Sequence, residues 1–290
     1  MATRVAVVTD STAYLPAVEV ARHGVTVVPL TVLIDGVPGA DGIDVTAADV
    51  ADALRNRRRV STSRPAPDRF AETYARAAED GTDAVVSVHL SARMSSTLDS
   101  ARLAAKSAPV PVEVVDSQRI GMGLGFGVLA AAEAAAAGAD AAVCAEVAAQ
   151  RSTSTDVYFY VDTLEYLHRG GRMGMATSLM GNALMVKPLL RVHDGQISLL
   201  EKVRTRAKAM TRLEEIAVAS ASGAPGTVVD LAVQHLAGAE RAGQLAERLR
   251  DCLPRHRRLF TGEVGGVVGA HVGPGMIAVT VSRHRPHASG

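Results

Sequence analysis

Hydroxyl and carboxyl groups gather where apolar runs of this chain give way to helix-forming ones: Asp10-Ser11-Thr12, Ser61-Thr62-Ser63, Ser95-Ser96-Thr97 and Asp116-Ser117. A helix N-terminus offers unpaired N–H groups and a partial positive charge. With Ser or Thr hydroxyls added, it suits a carboxylate or a phosphate. The same residue types are also the preferred helix caps, so one segment alone reads as a cap and only convergence makes a site. A serine nucleophile is the other reading, and it needs a base beside it. His89 lies shortly before Ser95 but inside a strand pattern. His271 lies far along the chain in "GVVGAHVGPGM", where the glycines place it in a loop. The spacing establishes no triad, and a surface histidine and a ligand-facing one both fit His271.

Other chemistries lack their signatures. The chain has no GxxxxGK[ST], no HExxH and no GxSxG, which removes the P-loop, the zincin site and the nucleophile elbow. Its nine histidines show no ligand spacing, so neither a metal nor a cofactor is expected. "GMGLGFG" (121–127) follows a strand-like run, but its glycines fall at every second position rather than as GxGxxG. Close backbone packing explains them better than a dinucleotide. The net charge is +1, which gives no bulk attraction to nucleic acid. Cys144 and Cys252 form no CxxC, and the opening "MATRVAVVTDSTAYLP" enters a strand pattern without a leader's apolar stretch. A reduced cytoplasmic setting is therefore expected. No run approaches ~18 apolar residues, so no membrane-spanning helix is expected.

The elements that must position these groups alternate through the first half. "RVAVVTD", "VTVVPLTVLIDG", "DAVVSVHL" and "VEVVDSQRIG" read as strands, several of them β-branched runs buried on both faces. Helical patterns separate them: "TAADVADALRNRR" capped by Thr46, "RFAETYARAAEDG", "SSTLDSARLAAKSA", and then 126–137 and 139–150. Such alternation argues for a mainly parallel sheet between helical layers, a three-layer α/β/α domain over 1–155. From 156 to 290 the rhythm changes. A hairpin around His193-Asp194-Gly195 is expected, with helices at "TSLMGNALMV", 205–220 and 239–252, and strands at "TVVDLAVQHL" and in the closing Gly-rich region. That is an α+β domain, and the cleft between the domains is the natural ligand site.

In combination these segments resemble the DegV family of bacterial fatty-acid-binding proteins, the acyl carriers of fatty acid kinase. The likeness runs nearly end to end through "VAVVTDSTAYLP", "STSRPAP", "LSARMSSTLDSAR", "VVDSQRIGMGLG", "LEYLHRGGRM", "KPLL…DGQI…KVRTRAKA" and "GAHVGPGMIAV". It implies a non-catalytic protein that holds one long-chain fatty acid, with its tail buried and its carboxylate at the domain interface. An ATP-dependent kinase subunit would be the partner, and passing contact with a membrane is compatible with that role. Carried over by motif, Thr62 and Ser95 would bond the carboxylate and His271 would lie near it. Thr97, Ser96 and Arg204 are further candidates. Ser96 stands where the resemblance implies glycine. Arg64 falls at a variable position that faces solvent or the kinase, and Arg172, Lys202, Arg204 and Arg206 are candidates for the partner surface. A serine-dependent hydrolase using Ser95 or Ser96 with His271, and a carrier or sensor of another small lipid, are the competing readings.

Overall fold

A computed structural model describes residues 3–173, 187–222 and 227–284. The apolar run Val5–Asp10 forms β1, flanked by β2 (Thr26–Val28) and β6 (Ala84–His89), with β7 (Val112–Asp116) beyond. All four are parallel, in the order β2-β1-β6-β7. Helices α3 (Pro67–Glu79) and α4 (Thr97–Ala105) cover one face, where Phe70, Tyr74 and Ala101 meet Val8 and Val85. On the other face α5 (Met122–Ala136) and α6 (Ala141–Thr153) bring Leu124, Val128 and Ala148 onto Val7, Val86 and Val88.

The extended stretch after β2 does not stay in this sheet. It becomes β3 (Thr31–Ile34), which pairs antiparallel with β4 (Val37–Ala40) and β5 (Val60–Ser63). This small sheet packs beside α2 (Ala47–Arg55), which begins with a capping box between Thr46 and Asp49. "STS" is therefore strand, not the cap of α3. The N-cap of α3 is Ala66, which lends no side chain.

The second half builds a six-stranded sheet from β8 (Thr155–Tyr160), β9 (Lys187–His193), β10 (Gln196–Val203), β11 (Val228–His235), β12 (His256–Glu263) and β13 (Ile277–His284). Its order is β10-β9-β8-β13-β11-β12, and only β11 and β12 run parallel. The β9–β10 hairpin turns at Asp194 (φ 47°) and Gly195 (φ 72°), the paired positive φ angles that such a tight turn requires. Helices α8 (Arg206–Ala221) and α9 (Ala239–Cys252) cover one face through Leu213, Ala217, Leu245 and Leu249. The short α7 (Glu165–Arg169) and α10 (Gly266–Val272) complete the chain. The helix expected at "TSLMGNALMV" lies outside the described residues.

The opposite face of this sheet meets α5, whose Met122, Phe126 and Leu129 pack on Ala232 of β11. So α5 lies between the two large sheets, buried from Met122 through Ala132. A helix apolar all round its circumference is a core helix. Its glycines admit the neighbours: a Cβ on Gly123 would lie 2.6 Å from Val157 Cγ2, and one on Gly127 would lie 2.6 Å from Ser152 Oγ. The Gly-rich segment is thus the first turns of the helix and not a turn ahead of it. The helix starts at Met122 instead of 126, and α6 occupies 141–153 instead of 139–150.

Candidate functional site

A cavity opens beyond the C-terminal ends of the parallel strands, over the α5-facing side of the six-stranded sheet. Its floor is a patch of adjacent side chains on that sheet: Ala278 opposite Phe159, Val157 opposite Val192, and Val192 opposite Ile197. Val267, Val268 and Val272 of α10 form a wall, as do Leu90 and Met94 of the β6–α4 loop. The space within it, open solvent at the mouth included, is about 840 Å³.

Polar side chains line this cavity chiefly in one group: Thr62, Ser63, Arg64, Ser95, Arg172 and His271. Strand alternation puts Thr62 on the inner face of β5, while Ser61 and Ser63 are exposed. Ser95 sits in a tight turn where the N–H groups of Met94 and Ser95 both bond the Ser91 carbonyl, at 3.0 and 3.1 Å. Arg172 follows the Gly170-Gly171 stop of α7. Its Nε donates to the Met94 carbonyl at 3.2 Å and its Nη1 to the Gly170 carbonyl at 2.6 Å. These bonds hold the guanidinium against the loop that carries Ser95.

His271 lies in the last turn of α10 and not in a loop. The other end of α10 is fixed by Asp41, whose carboxylate accepts from Gly266 N at 2.7 Å and from Ser11 Oγ at 2.9 Å. Val268 N bonds Tyr14 Oη at 3.0 Å. Burial raises the Asp41 carboxyl, and those hydrogen bonds hold it back. Burial also pushes the Tyr14 phenol well above its ordinary value.

Thr62 Oγ1 and His271 Nε2 are 2.9 Å apart. Burial, with the Arg172 charge second, lowers the His271 imidazole to about 4, so it is neutral at pH 7. Among the described residues the buried Nδ1 has no partner, and it abuts Gly170, where an added Cβ would lie 2.1 Å away. A proton on Nδ1 would be a buried orphan donor, and a bare lone pair costs less. The proton therefore belongs on Nε2, which donates to Thr62 and leaves the threonine hydroxyl proton free to turn into the cavity.

The remaining sequence candidates fall elsewhere. Thr97 is buried, and its Oγ1 lies 2.9 Å from Ser95 Oγ. It orients Ser95 and does not line the cavity. Ser96 is exposed at the N-cap of α4 with φ −77°. It adds no hydroxyl to the cavity, and its conformation does not call for glycine. Arg204 is exposed between β10 and α8, away from the lining. Arg64, read from sequence as facing solvent or a partner, is exposed and also lines the cavity, and the half-buried Arg172, read as partner surface, lines it too. Gln234 of β11, which sequence reasoning passed over, lines it as well.

Asp10 and His89 belong to a buried relay. Tyr74 donates to Ser87 Oγ at 2.8 Å, Ser87 to His89 Nε2 at 2.7 Å, and His89 Nδ1 to Asp10 Oδ2 at 3.0 Å. The order is that of a catalytic triad, but Asp10, Ser87 and His89 have no exposed surface. With Leu90 N also bonded to Asp10 at 3.0 Å, the relay fixes the start of the loop that carries Ser95. Asp116 and Ser117 brace the same region by accepting from Ala92 N and bonding the His89 carbonyl. Among the described residues, no group of three His, Cys, Asp or Glu side chains is placed to hold a metal. No helix among them is long and apolar enough to cross a membrane.

The sequence profile of the DegV family, described as uncharacterised protein, DegV family, matches residues 4–284. A DegV domain-containing protein of Streptomyces coelicolor is 55% identical over 284 residues, covering 97% of this chain and 99% of the relative. Among solved structures, a DegV family protein from Thermus thermophilus, described by its fatty acid binding, superposes with TM-score 0.91 at 31% identity, covering 97% of this chain and 100% of the other. DegV from Bacillus subtilis, described as a fatty acid binding protein, superposes with TM-score 0.89 at 30% identity, with the same coverage.

Proposed function

This chain belongs to the DegV family, and on that premise we propose that it binds one long-chain fatty acid and presents the carboxylate to an ATP-dependent kinase for conversion to an acyl phosphate. The observation that carries this reading is the asymmetry of the cavity. Most of its wall is aliphatic, while Thr62, Ser95, Arg64, Arg172 and His271 gather in one group. A buried carboxylate is costly unless it is well bonded. Two hydroxyl donors and two guanidinium groups offset that cost with charge-assisted bonds. Each methylene placed among the valines contributes about 0.8 kcal/mol, so a long tail is held firmly.

Arg64 and Ser63 are exposed, so this group marks the solvent end, and a partner enzyme would meet the carboxylate there. The chain carries no P-loop of its own, which suits a protein that leaves ATP to its partner. A hydrolase reading has less support. The Ser95 hydroxyl pairs with Thr97 rather than with a base, and His271 Nε2 is engaged by Thr62. Denaturing mass spectrometry of lipid extracted from the purified protein tests the proposal. A stoichiometric long-chain fatty acid is expected. Protein that remains lipid-free and takes up none from oleate-loaded albumin would overturn the reading.

A further inference from the structure

Gln234 stands apart from the carboxylate group. It projects from β11 toward α5, on the same side of the sheet as Ala232, and its strand partner is Ala278 of the cavity floor. The residue is 4% exposed and lines the cavity. None of the carboxylate-group residues bonds to it. Its Oε1 accepts the Met122 N–H at 2.8 Å, at the start of α5, and sits over the bare Cα of Gly121, where a Cβ would be only 2.7 Å away.

That bond settles the orientation of the amide, because the oxygen must face the Met122 donor. The NH₂ arm then points the other way. Among the described residues Gln234 makes no side-chain hydrogen bond besides the one to Met122 N, and it lines the cavity. Once a dry aliphatic chain fills the cavity, an amide donor left without an acceptor costs about 1–3 kcal/mol. A trapped water needs two to four polar partners, and Ala278, the strand partner of Gln234 on the cavity floor, offers no polar side chain. A purely aliphatic tail would leave the donor unmet.

We propose that Gln234 is a second polar subsite of the acyl cavity, which selects a fatty acid carrying a hydroxyl or carbonyl oxygen along its chain over the plain saturated acid. The inference rests on the fatty-acid reading above and adds the class of acid. The oxygen accepts from Gln234 Nε2, while the carboxylate stays with Thr62, Ser95 and the guanidinium groups. Without such a donor, a chain hydroxyl entering this cavity would lose its hydration uncompensated.

The test is equilibrium competition on delipidated protein between stearate and positional isomers of hydroxystearate, with Gln234→Met and Gln234→Glu beside the wild type. We expect at least one isomer to displace stearate with about tenfold preference, equivalent to about 1.4 kcal/mol. Gln234→Met should abolish that preference. Gln234→Glu keeps an acceptor for Met122 N but replaces the donor, and should abolish it too, which preserves the test if the methionine variant fails to fold. Stearate bound in preference to every isomer, or a hydroxyl preference that survives both substitutions, overturns the subsite and leaves the carrier reading standing. Failure to bind stearate and hydroxystearate alike overturns the carrier reading itself.

Discussion

The neutrality of His271 has a measurable consequence for stability. Its imidazole is lowered from 6.5 to about 4, first by burial and second by Arg172. In the unfolded chain it returns to about 6.5. Between those values the unfolded state binds the proton and the ligand-free folded state does not. Stability from this group is thus complete above pH 6.5 and is lost as pH falls toward 4. The loss reaches about 3 kcal/mol by pH 4, at about 1.36 kcal/mol per pH unit. His271→Gln keeps an N–H that can reach Thr62 and removes the titration. Urea unfolding of delipidated wild type and variant at intervals from pH 7.5 to 4 should show the wild type losing about 3 kcal/mol more than the variant. The other titrating groups cancel in the difference. A bound carboxylate beside the ring favours the imidazolium, so loading with fatty acid should shrink the gap. Equal losses in the two proteins without ligand, or an NMR titration of His271 near 6.5, would falsify the buried neutral imidazole.

Thr62→Val keeps the shape of the β5 side chain and deletes the hydroxyl that His271 turns toward the cavity. One lost bond to a charged ligand, about 1.5–3 kcal/mol, should weaken fatty-acid affinity roughly 10–100-fold, and the His271 Nε2–H left without its acceptor should lower the stability of the ligand-free protein by about 1–3 kcal/mol. Unchanged affinity by fluorescent-lipid displacement would remove Thr62 from the site. Asp10→Asn places an amide N–H₂ where the carboxylate now accepts from His89, Leu90, Thr12 N and Thr12 Oγ1. Breaking a buried charged network of this kind should cost about 3–5 kcal/mol in chemical denaturation, and a loss under 1 kcal/mol would show that the relay carries no weight. Asp41→Ala strips the N-terminus of α10 of its acceptor and should lower both stability, by about 2–4 kcal/mol, and fatty-acid affinity. If stability falls while affinity is retained, α10 does not depend on that anchor to place His271.

The order of elements was legible because both periodicities are strong. β-Branched runs such as "VAVVTD" and "AVVSVH" are buried on both faces of a parallel sheet, and "HDGQ" carries the dihedral demands of its turn. What local pattern could not reveal was partnership. Nothing in "TVLI" says that β3 pairs with β4 and β5 instead of extending the main sheet, because pairing is settled by tertiary contacts. The glycines of α5 read as a turn by local propensity, yet the squeeze between two sheets makes them helical. Thr62, Ser95 and His271 came forward through motif likeness, and their meeting could not be derived from spacing. Arg172 looked like surface because an arginine after two glycines carries no mark of the loop it clamps. Gln234 gave no signal at all, since a lone amide in a buried strand resembles any other satisfied polar residue.

The placement of the site follows from how the two halves of the chain are tied together. α10 is a late element, yet its Val267 and Ala270 pack with Leu30, Val32, Val50 and Leu54 from the first half, and Asp41 and Tyr14 hold its N-terminal N–H groups. His271 is thereby delivered to β5 by the same contacts that join the halves. From the other side, the β9–β10 turn reaches back to the Ser95 loop. Ser91 Oγ donates to the Gly195 carbonyl at 2.7 Å and Arg93 Nη1 to the Asp194 carbonyl at 3.1 Å. Ser95 and His271 thus sit on elements of one half that are braced by the other. A ligand that bonds Thr62, Ser95 and Arg172 together bridges the same junction, so its binding energy adds directly to the cohesion of the two halves. The cavity is consequently a joint as well as a container, and an empty protein should open there first.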